Sequence, residues 1–384
     1  MDKLMATVEL ISRDLKTSGS SIVACFPLYP PLELIHAMGL NPVVLWGIRD
    51  KVRNTLEADK HIQNYSCGIA RQAIEFLLSI NKKKLDGILY YNACDTLRNI
   101  PEVIEKGLQE QGIFTVFSGY HIPQRGLSQI YTKQYLQNEM NQLITTLEIM
   151  SGKSFSFKIF KKSVEQFRKI RTVTKEIQQK VMKGIISFQD YALTMQTNYF
   201  RPVEKQLNRL QTLNQKTGQG GLFNNNAGKI LLTGILPPPF QVMDILNDAG
   251  LVVVRDDIAS LNRSVSPMPT EYENVGEYYV KFYGNHHPCP TLLYTADRRW
   301  RYLESLVDES RANGVIFLGE KFCEYEYFEI PFLEKKFRDK GIASLSLEFS
   351  IDDKEHLAAF STRIEAFAEM LANNREDGSK EMEA

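Results

Sequence analysis

The sequence predicts an α/β protein of two similar lobes, each a four-stranded parallel sheet with helices on both faces, plus a helical middle segment. Three observations predict it. Short β-branched runs bounded by turn residues alternate with helical patterns. That layout occurs twice along the 384 residues, and the two halves match in residues as well as in pattern. The length agrees, at roughly 100 to 200 residues per domain. The expected divisions are an N-terminal α/β lobe over 1–128, a helical segment and linker over 129–226, and a C-terminal α/β lobe over 227–384.

In the first half, strands are expected at 21–25, 42–46, 87–91 and 114–117. Ala24-Cys25-Phe26-Pro27-Leu28-Tyr29-Pro30-Pro31 runs from strand into a proline turn, which suits a helix start because the first-turn amides have no intrahelical partner. The helix should stop at Met38-Gly39-Leu40, where the glycine permits the turn into the next strand. Residues 129–214 carry few strand signals but a helical period, as at Phe160, Val164, Phe167, Ile170, Thr174, Ile177 and Val181. Pro202 should start, kink or end one of these helices, and 217–226, rich in Gly and Asn, reads as a linker.

In the second half, strands are expected at 230–233, 251–255, 315–318 and 344–347. Thr233-Gly234-Ile235-Leu236-Pro237-Pro238-Pro239-Phe240 repeats the strand and proline turn, and Ala249-Gly250-Leu251 repeats the helix stop. Asp86-Gly87-Ile88-Leu89-Tyr90-Tyr91 ahead of Cys94 parallels Asn313-Gly314-Val315-Ile316-Phe317-Leu318 ahead of Cys323. Right-handed crossovers complete each parallel sheet. The Glu-, Asp- and Lys-rich tail from Asn373 is expected to fray.

Lys plus Arg and Asp plus Glu each total 46, so no global basic field attracts nucleic acid or anionic lipid. With 43% hydrophobic and 24% charged residues the chain is of ordinary globular composition. It has no apolar run of 18 residues, and Met1-Asp2-Lys3-Leu4-Met5 lacks the pattern of a signal peptide, which reads as cytoplasmic without a membrane span. The five cysteines, Cys25, Cys67, Cys94, Cys289 and Cys323, are odd in number and widely spaced, unlike a secreted disulfide framework.

Ligands of open parallel sheets bind outside the carboxyl ends of the strands. Cys94 and Cys323 follow equivalent strands of the two halves, and Cys67 lies just before an apolar helix whose N-terminus favours a thiolate. Three such thiols suit a metal or Fe–S site. Their spacings, 94 − 67 = 27 and 323 − 94 = 229, match no local metal motif, so burial as small apolar residues stands as the alternative.

Phe26-Pro27-Leu28-Tyr29-Pro30-Pro31-Leu32-Glu33-Leu34-Ile35-His36-Ala37-Met38-Gly39, Tyr91-Asn92-Ala93-Cys94-Asp95-Thr96-Leu97, Lys321-Phe322-Cys323-Glu324 and Thr362-Arg363-Ile364-Glu365-Ala366-Phe367 resemble signatures of the 2-hydroxyacyl-CoA dehydratase and benzoyl-CoA reductase family, in order and rough spacing. The resemblance implies two flavodoxin-like lobes holding a [4Fe–4S] cluster through Cys67, Cys94 and Cys323. It implies a homologous second subunit in a heterodimer and an ATP-hydrolysing iron–sulfur activator. The substrate it implies is an acyl-CoA thioester, dehydrated through a ketyl radical, or an aryl-CoA reduced at the ring. The compact length and the Cys25-Phe26-Pro27 opening resemble the electron-relay type of subunit. The chain departs from the pattern of two acidic residues after the turn proline, since Leu32 precedes Glu33. Glu33 is therefore a candidate for acid–base work or for a first-turn residue favoured by the helix dipole.

Other residues carry open readings. Gly152-Lys153-Ser154 ends like a phosphate loop, but Leu147 stands where the first glycine belongs, so it reads as a plain loop and ATP hydrolysis falls to a separate protein. Cys25 is expected to line the cleft. Cys289, in His286-His287-Pro288-Cys289-Pro290, reads either as a zinc ligand or as part of a proline-packed loop. Arg298, Arg299 and Arg301 read as contacts to CoA phosphates or as a solvated face. Tyr29, Asn92 and Glu324 adjoin the cluster motifs as candidate hydrogen-bonding residues.

Overall fold

The computed structural model describes residues 21–46, 48, 52, 54–79, 85–217, 227–293, 297–350 and 357–383, with side chains described as far as 373. The first sheet has strands β1 (Ile22–Cys25), β2 (Asn41–Val44), β3 (Gly87–Tyr91) and β4 (Val116–Tyr120), and the second has β5 (Gly228–Gly234), β6 (Leu251–Ile258), β7 (Gly314–Glu320) and β8 (Ala343–Phe349). Both are wholly parallel and share one order, β2-β1-β3-β4 and β6-β5-β7-β8. The duplication read from the sequence is therefore a duplication of topology, two α/β lobes surrounded among the described residues by twelve helices.

The helices are α1 (Leu32–Ala37), α2 (Gly68–Ser79), α3 (Asp95–Glu110), α4 (Ile130–Ser151), α5 (Phe157–Met182), α6 (Phe188–Asn198), α7 (Val203–Asn214), α8 (Phe240–Asp248), α9 (Val275–Gly284), α10 (Arg298–Ser310), α11 (Glu324–Asp339) and α12 (Leu357–Glu383). Prolines open three of them: Pro31, Pro202 and Pro239 are the N-cap residues of α1, α7 and α8. The equivalent helices α1 and α8 also end alike, with Gly39 and Gly250 at φ +74° and +73°, a left-handed conformation that costs glycine little.

Some boundaries differ from the sequence reading. β4 begins at Val116, in register with Gly87, while Phe114 stands in solvent. β2 ends at Val44, so Trp46 lies beyond the ladder. α12 continues past Asn373 to Glu383, because its Glu, Lys and Met residues are good helix formers. The expected linker falls at 218–226, outside the described residues except for Thr217.

Successive side chains of the central strands face opposite ways, so each sheet is apolar on both faces. In β5, Ile230 and Leu232 join the core beneath α6, α8 and α12, while Leu231 joins Val315 and Phe317 beneath α10 and α11. The middle helices join the halves. α4 packs on β4 and α9, and α5 packs on α1, α7 and β6. Around Phe160 of α5 gather Tyr272, Tyr278 and Tyr279, with Phe160 and Tyr278 edge to face at 5.2 Å. Tyr283 reaches the N-terminal lobe, donating to the Tyr29 carbonyl at 3.0 Å.

One close approach fixes the end of β5. A Cβ on Gly234 would collide with the Leu318 carbonyl of β7. Gly234→Ala is expected to cost roughly 1–3 kcal/mol through forced separation of the two strands, measured by chemical denaturation. A loss under about 0.5 kcal/mol, the level of an unremarkable surface change, would show that the strands yield freely.

Candidate functional site

Cys94 lies three residues beyond β3, which ends at residue 91, and Cys323 three beyond β7, which ends at residue 320. Each is an N-cap residue, of α3 and α11 respectively, with extended backbone. Cys67 immediately precedes α2. The three cysteines thus share one local design, a thiol at the N-terminal end of a helix at least twelve residues long. The amide of Leu97 donates to Cys94 Sγ at 3.4 Å. The Ile69 and Ala70 amides near Cys67 and the Glu326 amide near Cys323 oppose the rise in the thiol pKa, although Cys323 caps α11 without a side-chain hydrogen bond.

These three thiols line a single cavity, whose wall comes from both lobes. Leu28, Trp46, Ile69, Leu97 and Ile235 make it apolar, and exposed Asp95, Phe322 and Glu324 stand at its mouth. Phe322 adopts φ +64°, a conformation strained by about 1–2 kcal/mol outside glycine, and it sets Cys323 at the head of α11.

Burial pushes all three thiols above the ordinary value of 9.0. Glu320 adds to the rise at Cys67, Asp95 at Cys94 and Glu326 at Cys323, while the helix amides oppose it. Cys67 also acts electrostatically on Cys323, as Cys94 does on both others. The metal-free site is thus a set of neutral thiols whose protons must leave when a metal binds.

Among the described residues no three His, Cys, Asp or Glu side chains close around a single ion. Thiolates about 2.3 Å from one zinc would stand under about 4 Å apart. Sulfurs spread around the wall of a cavity suit a group that offers a separate iron to each thiolate, and the soft sulfur donors fit iron–sulfur chemistry.

Glu33 lies elsewhere. It is fully buried in α1, paired with Arg171 of α5 at 3.0 Å and accepting from Tyr279 at 3.3 Å, and it is not among the cavity-lining residues. Arg171 also donates to the Ser266 carbonyl at 2.8 Å. Of the two readings the sequence left open, the first-turn position is as expected, and its cationic partner comes from a distant helix.

The surrounding candidates sort similarly. Cys25 sits inside β1, off the cavity wall, contrary to the cleft-lining expectation, because the strand buries it on both sides. Cys289 is buried with Arg263 donating to its sulfur at 3.0 Å and Thr291 at 3.2 Å, which favours the packed loop over zinc. Arg299 is no phosphate contact: it pairs with buried Asp257 and, at 2.9 Å, with Glu329. Arg298 and Arg301 are exposed. Asn92 ties β3 to the end of β4, exchanging hydrogen bonds with Ile122 at 2.8 and 3.1 Å. Tyr29 stacks near His286, with ring centroids 4.1 Å apart. Gly152 is the left-handed end of α4, so the phosphate-loop resemblance falls in a connection between helices.

Sequence reasoning missed Trp46, Glu320, Glu326 and Asp257. Arg299 could have been placed, because Arg299, Leu303, Leu306 and Ser310 share the buried helical face of α10. Glu326 carried the same signal, sharing the buried face of α11 with Leu333 and Phe337. Its carboxylate accepts from the Glu320 amide at 2.8 Å, and burial raises its pKa from 4.5 to about 8.

The chain matches the family model described as 2-hydroxyglutaryl-CoA dehydratase, D-component, over residues 27–371. It is similar to the (R)-phenyllactyl-CoA dehydratase beta subunit of Clostridium sporogenes, at 24% identity over 94% of each chain. It resembles the beta subunit of lactoyl-CoA dehydratase from Anaerotignum propionicum, at 24% over 92% of each. A benzoyl-CoA reductase subunit of Thauera aromatica is 23% identical over 86% of this chain and 85% of that one.

Two outcomes are expected. The folded state keeps a proton on Glu326 that the unfolded chain loses above pH 4.5, so the residue costs stability progressively as pH rises to about 8. Glu326→Gln should be near neutral in Tm at pH 5 and stabilising at pH 8.5; a Tm difference that does not grow with pH contradicts this. Glu33→Ala strands the half-paired Arg171 guanidinium and should cost about 3 kcal/mol in urea denaturation, whereas a loss below about 1 kcal/mol would mean the pair behaves like a surface one.

Proposed function

This chain belongs to the 2-hydroxyglutaryl-CoA dehydratase D-component family, and from that premise we propose that it is an iron–sulfur subunit of a 2-hydroxyacyl-CoA dehydratase, with Cys67, Cys94 and Cys323 holding one [4Fe–4S] cluster. The observation that carries the reading is the single cavity lined by three thiols, each ahead of a helix N-terminus. When bound, the cluster supplies low-potential one-electron chemistry, fed by a separate ATP-hydrolysing activator and directed to an acyl-CoA thioester whose ketyl radical can expel the 2-hydroxyl group.

The chain's own residues account for the rest. Three thiolates serve four irons, so one iron is left without a cysteine and open to another ligand. The helix N-termini offset the negative charge that the thiolates bring into an apolar cavity. Leu28, Ile69, Leu97 and Ile235 give the sulfurs an apolar surround. Because three raised thiols must each release a proton, cluster loading strengthens as pH rises. Glu33, tied to Arg171 and Tyr279, takes no acid–base part in this proposal.

Relatives that are themselves named as subunits support a partner subunit, which in this reading is homologous and forms a heterodimer with this chain. No helix among the described residues is long and apolar enough to cross a membrane, and an oxygen-sensitive site of this kind belongs in a reducing cytoplasm. The similarity to the Thauera aromatica benzoyl-CoA reductase chain favours a second reading, in which the same site relays electrons to an aryl-CoA ring.

Anaerobic purification with iron and acid-labile sulfide analysis tests the ligands. Wild type should hold about four irons per chain, and Cys67→Ser, Cys94→Ser and Cys323→Ser should each lose most of them. Iron absent from wild type, or surviving all three changes, would leave a two-lobed binding protein. With an activator, turnover of a 2-hydroxyacyl-CoA but not of benzoyl-CoA selects the dehydratase.

A further inference from the structure

Trp46 also lines the cavity that Cys67, Cys94 and Cys323 share. It follows β2 at the carboxyl edge of the first sheet, just after Leu45 makes its hydrogen bond to the Cys25 carbonyl at 3.0 Å. Its side chain is only 2% exposed, yet among the described residues the indole Nε1–H has no hydrogen-bond partner. Buried donors are paired as a rule, and an orphan costs about 1–3 kcal/mol.

The indole N–H donates and cannot accept, so its partner has to be an electron-rich atom. On the same wall the Leu97 amide donates to the Cys94 sulfur at 3.4 Å, while the Phe322 amide is taken by the Tyr327 hydroxyl. An unpaired donor in the same wall therefore has the polarity to serve the contents of the cavity.

We propose that the Trp46 indole N–H donates a hydrogen bond to a sulfur of the iron–sulfur cluster, making the cluster easier to reduce. The proposal rests on the reading of Cys67, Cys94 and Cys323 as cluster ligands. Reduction adds negative charge to the sulfurs, and a donor fixed in an apolar wall stabilises that state more than the oxidised one; hydrogen bonds to sulfur are among the features that set cluster potentials. Trp46 is thus a cofactor contact that tunes electron acceptance, while its ring closes the cavity against water.

The test uses the assembled heterodimer with only this chain's indole nitrogens labelled with ¹⁵N. The chain has two tryptophans, and Trp300 packs edge-on against Phe337 in the second lobe at 4.9 Å, so Trp300→Phe leaves Trp46 as the single label. Pulsed EPR of the reduced protein should show a ¹⁵N hyperfine coupling that Trp300→Phe leaves unchanged. In Trp46→Phe the coupling should vanish, iron content should stay at the wild-type level, and redox titration should give a more negative midpoint. Absence of the coupling in wild type overturns the proposal even if the Phe variant fails to fold, as does an unchanged midpoint at full iron content; in both cases the cluster assignment stands. If wild type binds no iron, that assignment falls and the proposal falls with it.

Discussion

Three helix N-termini meet at one cavity, and the rest of the structure is arranged to hold them there. A helix start presents unsatisfied amides and a positive dipole end, which stabilise negative charge. Each of the three carries a cysteine at its head, and at α3 the Leu97 amide donates to the sulfur. Two of the helices, α3 and α11, follow equivalent strands of the two sheets, so the duplicated topology itself brings one thiol from each lobe to the meeting point. The third comes from α2 of the first lobe. Apolar walls raise the cost of charging the thiols, and that cost is what a metal group bound to all three would offset.

Holding the elements around such a cavity calls for rigid ties, and the buried ion pairs supply some of them. Glu33 links α1 to α5 through Arg171, with Tyr279 of α9 on the same carboxylate. In the second lobe Asp257 at the end of β6 joins Arg299 of α10, which also reaches Glu329 of α11. Buried pairs of this kind add little net stability over apolar packing, but breaking one strands a charge and is costly. Their effect here is to fix the helices that carry or flank Cys323 and the proline turn of the first lobe. The aromatic cluster around Phe160 does the corresponding apolar work between α5 and α9.

Much of this was legible in the sequence. The eight strands, the proline helix starts and the Gly39 and Gly250 stops depend on local periodicity and backbone chemistry, which neighbouring residues specify. The common position of Cys94 and Cys323 was visible because internal duplication supplies its own alignment. The family resemblance named the three cysteines, and the structure places them on one wall. What stayed hidden depends on how elements apart in the chain pack together. Arg171 is 138 residues from Glu33, and Trp46 meets the cavity only because β2 ends two residues before it. The partners that Glu326 and Arg299 find likewise follow from the packing of α10 and α11.

The most direct test of a cluster held between the lobes is iron-edge anomalous diffraction from crystals of the anaerobically prepared protein. The expected result is one compact anomalous density inside the cavity, bonded to the sulfurs of Cys67, Cys94 and Cys323. A cavity without anomalous density in an iron-loaded preparation, or density held by other residues, would contradict it.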